Sequence, residues 1–177
     1  MTLSTTRSAN LVFATAAAMA FVTAFSSTAT ADVAIAVDVD YAAPIKLASV
    51  SPGYGFGVRV GTQLHAPFFV LTPEVGVARH ALGGDGGPRL DRVIAGLRLG
   101  LGEILRPGVY GHVGHGALSA DSVRSHSSLT YDFGGFLDFT VLPLVNLGVH
   151  AGYTQWTGGD QSAFQFATAG AHAALVF

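Results

Sequence analysis

The sequence of 177 residues is rich in apolar residues and glycine and carries little charge. Residues of the set AVILMFWYC make up 50% of it and charged residues 11%, a composition that excludes a disordered chain and a coiled coil. The formal net charge of -2 excludes a basic surface for nucleic acid, and the absence of cysteine excludes disulfides, thiolate metal sites and cysteine nucleophiles.

The first 31 residues have the layout of an export signal. A single arginine precedes the apolar segment from Leu11 to Phe25, and small residues lead up to Ala31. A helix of fifteen residues, rising about 1.5 Å per residue, is too short for a hydrocarbon core about 30 Å thick, which disfavours a membrane-spanning helix. We therefore predict a signal peptide at residues 1–31, cleaved between Ala31 and Asp32, and one domain at residues 32–177.

From residue 32 onward, apolar residues alternate with small or polar ones, the period of a β-strand with one apolar face. We count about eight such segments, at 33–41, 54–61, 69–80, 92–101, 109–118, 129–141, 145–155 and 164–177. A length of about ten residues lets a tilted strand cross a bilayer. The pattern predicts an all-β protein.

The connections between these segments alternate in character. Tight links lie at 65–67, 103–108 and 142–144, whereas longer and more polar links lie at 44–52, 81–88, 119–128 and 157–162. Short turns at one end and longer loops at the other are typical of a transmembrane β-barrel. An even number of strands places both termini at the end with the short turns.

Strand periodicity alone leaves open which face is inside, so a soluble periplasmic, lipocalin-like barrel that binds a ligand is an alternative. The polar positions hold mostly glycine and alanine, which would weaken a solvated face but leave room inside a narrow barrel. An arginine facing lipid near the midplane would cost about 2 to 4 kcal/mol. We therefore predict a lumen network of opposite charges, formed by Asp38, Asp40, Arg59, Glu74, Arg92, Arg98, Asp132 and Asp138.

Outward aromatic residues are predicted to form two girdles at the membrane interfaces, where amphipathic rings are favoured. The loop-end girdle comprises Tyr41, Tyr54, Tyr131 and Tyr153, and the turn-end girdle comprises Phe69, Phe139 and Phe177, with Tyr110 nearby. In the segment from Val109 to Leu118 both faces are about equally apolar, so its facing is left undetermined.

Residues 32–177 resemble the small eight-stranded outer-membrane barrels of Gram-negative bacteria, the OmpA-like and OmpX-like proteins. The most specific feature is the outward pair Leu175 and C-terminal Phe177, similar to the signal that the barrel-assembly machinery reads in that family. The resemblance implies an antiparallel up-and-down transmembrane β-barrel in contact with outer-membrane lipid and lipopolysaccharide. The sequence departs from the family in the last strand, where the outward face has small side chains, at Ala167, Ala169, Ala171 and Ala173.

The predicted function is that of a monomeric outer-membrane barrel with a side-chain-filled lumen and a structural or surface-interaction role. We expect no wide pore, no enzymatic activity, no cofactor and no nucleic-acid partner. A shared metal site at His112 and His115 is not expected, because residues three apart on a strand point to opposite sides.

One enzymatic alternative involves His126 and Ser128, a His-x-Ser arrangement similar to that of the outer-membrane lipid A deacylases. Enzymes of that family pair the two residues with a carboxylate to activate a hydroxyl. Thr140 occupies the position of their glutamate, and Asp132 is the carboxylate that could substitute for it if the strand geometry allowed. The alternative is therefore lipid A or phospholipid acyl hydrolysis, against a polar loop without catalytic function.

Overall fold

A computed structural model describes residues 31–45, 50–84, 87–120, 123–157 and 164–177. Residues 1–30, which hold most of the predicted signal peptide, lie outside this part, and Ala31 begins the first strand. In the described part of the chain, no helix is long and apolar enough to cross a membrane.

Eight antiparallel strands form one closed barrel in which each strand pairs with its neighbours in sequence and β1 pairs with β8. Their bounds are β1 (Ala31–Pro44), β2 (Gly53–His65), β3 (Phe69–Ala81), β4 (Arg89–Leu101), β5 (Leu105–Ala120), β6 (Val123–Leu142), β7 (Val145–Trp156) and β8 (Phe164–Val176). The predicted fold class, an eight-stranded antiparallel up-and-down transmembrane β-barrel, is confirmed.

The two ends of the barrel differ as the sequence predicts, with one exception. Three short links define the turn end, and one of them contains Gly102 at a φ of 96°, a conformation that glycine adopts without strain. The exception lies at the opposite, loop end, where the link predicted at 119–128 is largely strand. Here β5 extends to Ala120 and β6 begins at Val123, with Leu118 opposite His126. The backbone hydrogen bonds between β5 and β6 continue through these residues, because backbone pairing does not require alternating apolar and polar side chains.

The apolar face of the strands points outward and the charged face points inward. The outward residues Val58, Leu97 and Phe133 are 42%, 49% and 57% exposed, whereas Arg59 and Asp132 are 6% and 7% exposed. A soluble barrel would bury the apolar set and expose the charges. The soluble ligand-binding alternative is therefore contradicted.

The structure also resolves the facing of β5. Val109, Val113 and His115 point outward, whereas Tyr110 and His112 point into the lumen. The predicted placement of Tyr110 near the turn-end girdle is wrong. A Cβ atom at the lumen positions 134 or 152, both glycine, would collide with the Tyr110 hydroxyl, so these glycines make the room that the ring occupies.

The outward aromatic residues lie at the two ends of the barrel. Tyr41 and Tyr54 are exposed at the loop end and make an edge-to-face contact with ring centroids 5.8 Å apart. Tyr131 and Tyr153 lie partly exposed on the same side, and Phe69, Phe139 and Phe177 are exposed at the turn end.

At the loop end, the lumen is closed by an apolar cluster, which we call the mouth cluster. It consists of the buried residues Ala42, Leu82, Leu90, Trp156, Phe164 and Phe166, with Val50 and Leu118 packed against it. The inward side chains at this height are thus apolar, as expected where the strands leave the membrane and must form a core of their own.

Candidate functional site in the barrel lumen

The inward face combines long charged side chains with glycines on the neighbouring strands. Glu74 lies between Gly61 on β2 and Gly96 on β4, and Asp40 lies between Gly55 on β2 and a glycine on β8. A Cβ atom at Gly61 would approach the Cβ of Glu74 to 2.9 Å. Glycine is therefore required beside these charges, because two full side chains would not fit in so narrow a barrel.

Arg59 occupies the centre of the lumen and joins two carboxylates. Its Nε and Nη2 atoms donate to the two oxygens of Asp38 at 2.8 and 2.6 Å, and its Nη1 donates to Glu74 at 2.7 Å. The guanidinium fork matches a carboxylate in this two-point geometry. Asp38 and Glu74 are thereby held on opposite sides of one buried cation.

The same network continues from Glu74 across the barrel. The ring nitrogens of His112 lie 2.7 Å from Glu74 and 2.6 Å from Asp132, and Arg92 donates to Asp132 at 2.7 Å. A continuous chain of six groups, from Asp38 through Arg59, Glu74, His112 and Asp132 to Arg92, therefore spans the lumen. We call it the central chain.

A second group of polar side chains adjoins the central chain. Arg98 donates to Asp138 at 3.3 Å, and the same carboxylate lies 2.7 Å from Nε2 of His172. The Arg98 guanidinium also lies over the ring of Phe136, 3.8 Å from its centroid, a cation–π contact. His150 contacts His172 through their Nδ1 atoms at 3.3 Å.

All eight charged residues of the predicted lumen set point inward, but they do not form a single network. Seven belong to the two groups above, whereas Asp40 stands apart beside His80, whose Nε2 atom is 3.1 Å away without hydrogen-bond geometry. The sequence predicts His80 and His172 as lumen or loop residues, and both point into the lumen, as does His112. Their chemical partners depend on the register between strands, which the sequence pattern does not specify.

The remaining space in the lumen is small. One cavity of about 60 Å³ lies beside Asp38, Asp40 and His150, and another of about 30 Å³ lies beside Gln63 and Asn146 near the turn end. The side chains of Arg59 and Arg98 line both cavities. Among the described residues, the lumen thus has room for a few water molecules or an ion, and not for a wide channel.

One charged pair lies on the outside of the barrel, which sequence analysis did not predict. Arg79 and Asp91 form an exposed two-point ion pair on β3 and β4, near the loop end. The position of the pair near the loop end explains why it can face outward, because the free-energy cost of an outward charge falls from the bilayer midplane toward the membrane interface.

The residues of the enzymatic alternative lie on β6 above the membrane-spanning part of the barrel. His126 and Ser128 are on the same side of the strand, and the Ser128 hydroxyl contacts that of Thr157 at 3.3 Å. Both oxygens of Asp132 are engaged, one by His112 and the other by Arg92. Within the described residues, no His–Ser–carboxylate arrangement is assembled.

The predicted assembly signal is paired at the seam of the barrel. Leu175 and Phe177 are 54% and 63% exposed on the outward face, and Phe177 exchanges two backbone hydrogen bonds with Val33 of β1. The last residue is therefore part of the pairing that closes the barrel.

An apolar exterior around a filled, charged interior defines this chain as a small transmembrane β-barrel. No family model and no curated protein matches the sequence. Among solved structures, the fold is similar to Neisserial surface protein A, with a TM-score of 0.58, 12% identity, and 85% of this chain and 100% of that chain covered.

Two further solved structures show the same likeness. The attachment invasion locus protein Ail of Yersinia pestis has a TM-score of 0.52 and 16% identity, with 82% of this chain and 98% of that chain covered. The outer membrane enzyme PagL has a TM-score of 0.50 and 15% identity, with 81% and 98% covered. These comparisons confirm the predicted resemblance at the level of the fold.

Proposed function

We propose that the chain is a monomeric outer-membrane protein whose lumen is sealed by side chains and whose role is structural or surface-interactive. The observation that carries this proposal is the central chain, which links β1 to β4 across the lumen at distances of 2.6 to 2.8 Å. A conducting pore would require these buried pairs to separate, and separation of a buried ion pair costs several kcal/mol. The mouth cluster adds a second closure at the loop end.

Conduction and membrane location are tested on the same purified protein. We expect it in the outer-membrane fraction, extractable only with detergent, with heat-modifiable gel mobility that reports a folded barrel. Folded protein inserted in planar bilayers is expected to show no steady conductance. Steady nanosiemens channels would contradict the sealed lumen, and recovery from the soluble periplasmic fraction would contradict the membrane location.

We propose that Phe177 and Leu175 act as the signal for the barrel-assembly machinery. The outward position of Phe177 and its pairing with Val33, where β1 meets the end of β8, support this role. Phe177→Ala is expected to lower the amount of folded protein in the outer membrane, measured by heat-modifiable mobility. Phe139→Ala is the matched control, since Phe139 is an exposed turn-end phenylalanine away from the seam. An equal loss in both variants would contradict a specific signal.

A second candidate function is acyl hydrolysis of lipid A or phospholipid through His126 and Ser128, favoured only by the existence of an enzyme with this fold. The engagement of Asp132 in the central chain supports the non-enzymatic proposal. Mass spectra of lipid A from cells that express the protein or His126→Ala discriminate the two. The non-enzymatic proposal expects identical spectra, and loss of an acyl chain only with the unaltered protein would contradict it.

A further inference from the structure

Three potential metal ligands meet at the seam where the first and last strands join. Asp38 on β1 is the register partner of His172 on β8, and His150 on β7 is the register partner of Gly170 on β8. The rings of His150 and His172 lie side by side, with centroids 5.5 Å apart and planes inclined at 33°. One potential ligand atom from each of Asp38, His150 and His172 lies within 4.8 Å of the others.

The spacing of the two imidazoles suits a shared metal ion. Their Nδ1 atoms are 3.3 Å apart. Two nitrogen ligands of a tetrahedral zinc ion, each at about 2.0 to 2.1 Å, are separated by about 3.3 Å. A hydrogen bond between the rings accounts for the same distance, so the distance alone does not decide between the two.

The surroundings of His172 favour metal binding. Its Nε2 lies 2.7 Å from Asp138, and since an ionised carboxylate only accepts hydrogen bonds, the ring donates there and presents the lone pair of Nδ1 to His150. A carboxylate behind the imidazole is the usual outer partner of a metal-binding histidine. Asp38 is held in place by Arg59, and each of its oxygens keeps a lone pair for a further ligand.

A polar cavity lies beside two of these ligands and is also lined by a carboxylate that has a buried oxygen without a hydrogen-bond partner. The cavity of about 60 Å³ is lined by Asp38, His150 and Asp40, among others. The Asp40 side chain is 9% exposed, and its Oδ1 atom has no hydrogen-bond partner among the described residues, since Nε2 of His80, 3.1 Å away, lacks hydrogen-bond geometry. An orphaned buried carboxylate oxygen is costly unless a cation or a water molecule satisfies it. The cavity has room for both beside Asp38 and His150, whereas His172 lines the smaller cavity nearer the turn end.

We propose that the lumen binds one divalent transition-metal ion of the zinc class through His150, His172 and Asp38, with a water molecule between the ion and Asp40. Imidazole and carboxylate donors together suit zinc and its neighbours rather than calcium or magnesium. The ion would connect β7, β8 and β1 and so fasten the closure of the barrel. Sequence analysis could not find this site, because its ligands come from three strands without a spacing motif.

The test uses the full mature chain without a histidine tag, refolded into detergent micelles with or without Zn²⁺. Refolding in the presence of Zn²⁺ lets the ion enter before the mouth cluster closes. After removal of loosely held metal by dialysis, we expect about one zinc per barrel and a higher urea midpoint of unfolding. Refolding with Co²⁺ is expected to give the intense visible bands of a four-coordinate ion.

Single-residue variants test whether the zinc binds at the seam between the first and last strands. His150→Ala is expected to lose the bound zinc and the cobalt bands, and Asp138→Asn to weaken zinc binding roughly 10- to 100-fold. The matched control is His115→Ala, which removes an outward histidine and should bind zinc like the unaltered protein. Heat-modifiable mobility verifies that each variant is folded. Zinc binding that is absent from the unaltered barrel, or that is equal in His150→Ala, would overturn the proposal and leave a hydrogen bond between the two rings.

Discussion

The central chain and the mouth cluster close the same lumen by different physical means. The central chain consists of buried charges, each satisfied by specific partners, such as Arg59 between Asp38 and Glu74. The mouth cluster consists of apolar side chains such as Leu90 and Phe166, both fully buried. A charge in the central chain is favourable only while its partners are present, whereas an apolar residue contributes in proportion to the area it buries.

This difference follows the depth of the residues in the membrane. In the middle of the barrel, the outward face contacts lipid and the inward face can be polar. At the loop end, the strands extend past the lipid, and inward residues such as Trp156 pack as they would in a water-soluble core. The barrel thus combines two sections. In the membrane section the apolar residues face outward and polar residues face inward, and in a short section at the loop end apolar residues face inward.

The largest expected effect is the removal of Arg59. Arg59→Met leaves Asp38 and Glu74 buried without their shared cation, and we expect the free energy of unfolding to fall by about 3 to 5 kcal/mol. Urea unfolding in detergent or lipid vesicles, followed through the fluorescence of the single tryptophan, Trp156, measures the change. A loss below about 1 kcal/mol would show that the central chain contributes little.

Truncation within the mouth cluster is expected to have a smaller but substantial effect. Leu90→Ala leaves a cavity in a packed region and should cost at least about 2 kcal/mol. Leu97→Ala is the matched control, because Leu97 faces outward and acyl chains can fill the space it leaves. Equal losses in the two variants would contradict the tight packing of the mouth cluster.

Combined substitutions distinguish the central chain from the mouth cluster further. Adding Asp38→Asn and Glu74→Gln to Arg59→Met removes the uncompensated charges, and we expect it to recover about 1 to 2 kcal/mol relative to Arg59→Met alone. In the mouth cluster, adding Phe166→Ala to Leu90→Ala should lower stability again. A triple variant less stable than Arg59→Met would contradict the interdependence of the buried charges.

The smallest effect is expected for the outward ion pair. Arg79→Ala breaks a fully exposed pair with Asp91, and no measurable change in the urea midpoint is expected because solvent screens such pairs. Arg92→Ala provides the comparison, since it also breaks an arginine–aspartate pair, but one that is buried. Similar losses in both would show that burial does not control the contribution of these pairs.

The strands and their facing follow from the sequence wherever one face is clearly apolar. The facing of β5 does not follow from it, because Gly111 and His115 on one face balance Tyr110 and His112 on the other. Nor does the sequence pattern predict the mouth cluster, because an inward phenylalanine such as Phe166 breaks the rule that polar residues point inward. The ion-pair partners could not be predicted for a different reason. The pairing of Arg59 with Glu74 depends on the register between strands, and the alternation of apolar and polar residues does not specify that register.

The inverted polarity of the barrel is tested most directly at two adjacent positions of β1, since the chain has no cysteine of its own. Val37→Cys and Ala36→Cys place single thiols on an outward residue, 54% exposed, and an inward one, 7% exposed. For barrels in lipid vesicles, a nitroxide attached at position 37 should collide with oxygen dissolved in the bilayer, and the thiol at position 36 should react only after unfolding in urea. A water-accessible thiol at position 36 together with a label at position 37 shielded from lipid would contradict the account.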